Sequence, residues 1–66
     1  MKLWIARELS NKLSLFSNKP KLQFVNIHGK QIWIGDFVAA VKTDLFPEVT
    51  FENSPQEVEL KLINEN

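Results

Sequence analysis

The fold of this 66-residue chain turns on DFVAAVKTDLF, residues 36–46. Phe37, Val38, Val41 and Leu45 are spaced for one face of a helix, Asp36 could cap it, and Ala39-Ala40 favours helix. Phe37, Ala39 and Val41 also alternate as a strand would. A helix here gives an α+β domain, with residues 36–46 lying over a sheet. A strand gives a mainly β protein: a small antiparallel sheet of four or five strands with at most one short helix. The second reading is preferred, with a strand at 37–41 and a single helical turn near 43–46.

Upstream, KLWIAR and KLSLFS are short runs of β-favouring residues separated by a turn signal, Ser10-Asn11. They predict a hairpin with Trp4 opposite Phe16, Ile5 opposite Leu15 and Arg7 opposite Leu13. Alternation then puts Leu3, Ile5, Leu13 and Leu15 on one face and Trp4, Ala6, Ser14 and Phe16 on the other. Pro20 breaks the run, since it lacks a backbone donor. In KLQFVNIHGKQIWIGD, His28-Gly29 reads as a two-residue hairpin loop. That loop pairs Val25 with Ile32 and Phe24 with Trp33, and shares Leu22, Phe24 and Trp33 on one face.

Downstream, EVTF reads as a short extended piece, ENSP as a turn and QEVELKLI as a strand. In that strand Val58, Leu60 and Leu62 form an apolar stripe, and Glu57, Glu59 and Lys61 form a charged one. One side on a core and one in water is the simplest meaning of such a comb. The expected core is Leu3, Ile5, Leu13, Leu15, Ile32, Ile34, Val58, Leu60 and Leu62. The second face, with Trp4, Phe16 and Trp33, is too apolar to leave in water. Residues 37–51 are expected to cover it, with burial against a second copy as the alternative. On either account Trp4→Ala or Trp33→Ala is expected to cost about 3–5 kcal/mol.

Sixty-six residues make one small domain, spanning 1–66, with no repeat or linker. The chain has no Cys and a single His, so disulfides, thiolate zinc sites and multi-histidine sites are excluded. Its apolar share of 44% is that of a folded chain. The apolar run in MKLWIAR is too short for a signal-peptide core and no membrane span follows, so a cytoplasmic location is expected.

The formal net charge is zero but polarised. Residues 1–35 hold Lys2, Arg7, Lys12, Lys19, Lys21 and Lys30 against Glu8, a net of +5, and residues 36–66 hold seven acids against Lys42 and Lys61, a net of −5. No run of like charge forms a tail, so the halves are read as neutralising one another on a small surface.

No residue set fits catalysis. The serines lie outside any nucleophile motif, two glycines cannot build a phosphate loop, and no ligand cluster suits a metal. The chain is therefore expected to be no enzyme and to need no cofactor. Trp4, Phe16 and Trp33 are the candidate binding surface, for a protein partner or a second copy in a homodimer. Basic residues among aromatics leave nucleic-acid binding as the alternative function, disfavoured by the neutral net charge.

The stretches MKLWIAR…LSLFSNKP and DLFPEVTFENSPQEVELKLI resemble a family of short proteins of unknown function from gut bacteria and their phages. In that family a first hairpin ends in a Lys-Pro step, here Lys19-Pro20. The chain closes with Leu-Phe-Pro-Glu-Val, here Leu45 to Val49, a turn, and a Val-Glu-Leu strand, here Val58 to Leu60. Members often carry an acidic turn with glycine where this chain has Ser10-Asn11. The resemblance implies a small bacterial or mobile-element protein and transfers no functional residue.

Overall fold

The computed structural model describes residues 1–24 and 29–60. Within them the chain is all β, with strands β1 (Lys2–Arg7), β2 (Leu13–Phe16), β3 (Lys21–Phe24), β4 (Gln31–Ile34), β5 (Phe37–Val41) and β6 (Gln56–Glu59). Four of them form an antiparallel sheet in the order β5-β2-β1-β6, and β3 and β4 form a separate two-stranded ribbon.

The first hairpin has the predicted register: Trp4 pairs with Phe16, Ile5 with Leu15 and Arg7 with Leu13. Its turn explains why. The Glu8 N–H donates to the Lys12 carbonyl at 2.8 Å and the Asn11 N–H to the Glu8 carbonyl at 2.9 Å. Three residues thus close the loop, with Asn11 at φ 79°. A three-residue hairpin loop ends on a left-handed residue, and Asn tolerates that conformation better than most.

Residues 36–46 contain a strand and no helix. Asp36 cannot serve as a helix cap because its carbonyl accepts from the Ser17 N–H, extending the sheet. β5 pairs Val41 with Leu13 and Ala39 with Leu15, and a bulge follows before Phe37 meets Phe16. In place of a helical turn, residues 42–54 form successive tight turns, closed by Leu45 N–H to Lys42 O, Val49 N–H to Phe46 O and Ser54 N–H to Phe51 O. The piece expected to be extended at 48–51 belongs to these turns, and a cis Ser54-Pro55 bond leads into β6.

The core forms on the first face of the sheet. Ile5 and Leu13 are fully buried, Val49 packs on them, and Leu15, Val41 and Val58 flank the group. Each fully buried aliphatic side chain contributes about 1.5–3 kcal/mol. Leu3 is buried as expected, but Ile34 and Leu60 are exposed, and Leu62 lies outside the described residues. Ile34 lies on the ribbon and Leu60 just past the end of β6, away from the buried centre.

The two faces are covered in the reverse of the expected way. The turns of 42–54 deliver Val49 to the first face, whereas the ribbon supplies Trp33 to the second. Gly35 permits that approach, because a Cβ there would meet the Pro20 Cα at 3.1 Å and the Phe16 ring at 3.3 Å.

The ribbon register also differs from expectation. Leu22 pairs with Trp33 and Gln23 with Ile32, two residues from the pairs that a His28-Gly29 loop would set. A shift of two keeps the faces, so Leu22, Phe24 and Trp33 still share a side. Val25, Ile27 and His28 lie outside the described residues.

Candidate interaction surface

Arg7 organises the sheet end on which the turns and ribbon converge. Alternation from Leu3 and Ile5 puts it on the core face, and it is buried. Its Nε donates to the Val49 carbonyl at 2.6 Å. Nη1 donates to the Thr43 carbonyl at 2.9 Å and to both the Asn11 carbonyl and Oδ1, at 3.2 and 2.9 Å. Nη2 donates to the Leu45 and Phe46 carbonyls, each at 3.1 Å. Five guanidinium protons thus serve six acceptors, so one proton is shared. The Arg7 N–H donates to the Ser54 hydroxyl at 2.9 Å, and its carbonyl accepts from Trp33 Nε1 at 3.0 Å. Phe46 sits at φ 52°, strained for a bulky residue, and its carbonyl is held by both Arg7 and the Val49 N–H.

An open cleft of about 430 Å³ adjoins this end, with Arg7, Glu8, Leu9, Thr43, Phe51 and Glu52 in its walls. Its one cation is spent on backbone carbonyls, so it cannot hold an anion without giving them up. Among the described residues no group of three or more His, Asp or Glu could hold a metal ion. None of their buried side-chain nitrogens or oxygens lacks a hydrogen-bond partner, so no unsatisfied group waits for a ligand.

The three aromatics singled out in the sequence occupy different situations. Phe16 is buried, edge-on to Phe37 with ring centroids 6.3 Å apart. Trp4 lies beside it and is half-buried, with the Lys19 ammonium 5.6 Å from its ring centroid and Glu57 as its cross-strand partner. Trp33 is half-buried at the Arg7 end, tilted against Phe51 at 6.1 Å. Phe16 and Trp33 line a common groove of about 260 Å³ with Ile34 and Phe37. Trp4 is not part of it.

The largest run of uncovered apolar residues inside an element lies elsewhere, on β5. Phe37 is 61% exposed and Val38 50%, Ala39 and Ala40 are exposed, and β5 is the outer strand of its sheet. No charged residue or proline interrupts it. The opposite edge strand, β6, carries exposed Glu57 and Glu59. Charges of that kind discourage strand pairing, and β5 has none. The sequence reading assigned Phe37 and Val41 to covering duty. The signal it passed over was five consecutive residues without charge at the end of a sheet.

No protein-family model matches the chain, no curated protein matches it, and no solved structure matches it. Among the described residues no helix is long and apolar enough to cross a membrane.

Proposed function

We propose that the chain is a non-catalytic protein-interaction module that takes an extended, apolar segment of its partner along the free edge of β5. The carrying observation is that edge: five uncharged residues, Phe37–Val41, outermost in the sheet and mostly open to water. An unpaired edge offers a row of backbone donors and acceptors, and its exposed side chains add specificity. The Phe16–Trp33–Ile34–Phe37 groove lies alongside and offers apolar contact to side chains of the added strand.

The disposition of charge favours this reading over nucleic-acid binding. Arg7 is buried, Lys2 lies across from Glu59, and Glu57 lies beside Trp4. The Glu57 carboxylate beside Trp4 offsets the Lys19 ammonium over its ring and so weakens the attraction of that face for a phosphate backbone. A cytoplasmic setting fits a chain without Cys. A bacterial or mobile-element source rests on the resemblance at the two ends of the chain.

Selection of random peptides displayed on phage against the immobilised protein tests the reading. Enrichment of uncharged, β-branched or aromatic stretches that lose binding to the Val38→Lys protein is expected. Peptides that bind Val38→Lys equally well would contradict the β5 assignment. Retarded oligonucleotides in a low-salt gel shift would favour the nucleic-acid alternative.

A further inference from the structure

Resting on that reading, we infer that the partner at the β5 edge is a second copy of this chain, added antiparallel about a twofold axis to make one continuous eight-stranded sheet. Two observations point to a copy in place of an unrelated chain.

The first is charge. Asp36 stands at the N-terminal end of β5 and Lys42 at its C-terminal end, both exposed. Antiparallel pairing about a twofold axis brings the Asp36 end of each copy to the Lys42 end of the other, twice in one interface. The Asp36 carboxylate accepts from Asn18 Nδ2 at 2.6 Å, which holds it at that edge. With zero net charge the chain has no overall repulsion between copies to overcome.

The second is shape. The bulge lies at the Phe37–Val38 end, leaving Ala39 to Val41 in regular register with β2. The twofold axis then falls on the Ala39-Ala40 segment, in the part of the strand that the bulge leaves regular. Bulges blunt strand edges, but this one is confined to one end of the strand.

Sedimentation equilibrium from low micromolar to submillimolar protein tests the inference, on the wild type and on Val38→Lys and Ala40→Lys. Both variant positions are exposed, and circular dichroism confirms that each variant folds. The expected result is a wild-type monomer–dimer equilibrium and two variants that stay monomeric throughout. A wild type that is monomeric at every concentration overturns the self-pairing. If peptides selected as above still bind it, the β5 edge stands as a site for another protein; if none bind, both readings fall. A dimer that persists in both variants also overturns the inference, because it places the contact elsewhere.

Discussion

Arg7 does at one position what a small chain without disulfides does with several devices. Its guanidinium ties four carbonyls of residues 43–49 to the sheet, and its backbone ties down Ser54 and Trp33. Removing the side chain takes the donor from the buried Val49 carbonyl and from the part-buried Thr43 and Leu45 carbonyls, while Phe46 keeps the Val49 N–H; a buried group left unsatisfied costs about 1–3 kcal/mol. Arg7→Met is therefore expected to destabilise by at least about 3 kcal/mol in urea unfolding, and to open residues 43–49 to proteolysis before global unfolding. Arg7→Lys keeps the charge but has three donors on one nitrogen, and it should recover less than half of the loss. Gly35 matters for a different reason. Gly35→Ala places a methyl against the Pro20 backbone and the Phe16 ring, and overpacking of this kind costs about 1–3 kcal/mol. A melting temperature unchanged in Gly35→Ala would show that the ribbon does not rest on the sheet as described.

Among the elements, the ribbon is the least self-sufficient. A two-stranded hairpin alone is marginal in water, so β3 and β4 depend on their attachment through Trp33. Trp33→Phe keeps most of the ring but deletes the hydrogen bond to the Arg7 carbonyl, which stays part-buried. A loss of about 1 kcal/mol is expected, against about 3 kcal/mol for Trp33→Ala, both read by denaturant midpoint. Equal losses would mean that the indole N–H contributes nothing.

The elements also differ in how far the sequence disclosed them. The β1–β2 hairpin was legible because Ser10-Asn11 supplies the turn chemistry and strict alternation fixes the register. The strand at 37–41 was legible as one of two readings. What decided it was the Leu13–Leu15 face of β2, which needs a neighbour, and that is a tertiary demand. The ribbon register was missed because Gly29, at φ 73°, looks like a tight-turn residue whether or not it sits at the centre of the loop. The packing of residues 42–54 was hidden for a further reason: it depends on an arginine pointing inward. Arg7 falls on the same alternation as Leu3 and Ile5, yet its charge argues for the surface until backbone carbonyls are found to receive it. The five uncharged residues of β5 were legible, but not their place at the edge, since strand order cannot be read from local pattern.

At the scale of the whole molecule, the chain measures 54 × 22 × 17 Å with a radius of gyration of 13.0 Å. A globular chain of this length has a radius near about 11 Å. The buried centre is correspondingly small, built on Ile5, Leu13 and Val49. A protein so extended gains much from any surface that covers its open edge, and association that binds only the folded state raises stability with concentration. β5 is the open edge of its sheet, and on the inference above it pairs with a copy of itself. Amide hydrogen exchange, followed residue by residue at two protein concentrations, tests it most directly. Ile5 and Leu13 are expected to exchange slowest at both, while the outward amides of Ala39 to Val41 are protected in concentrated solution and lose that protection on dilution. Outward amides of β5 that exchange fast at both concentrations, or slowly at both, would contradict it.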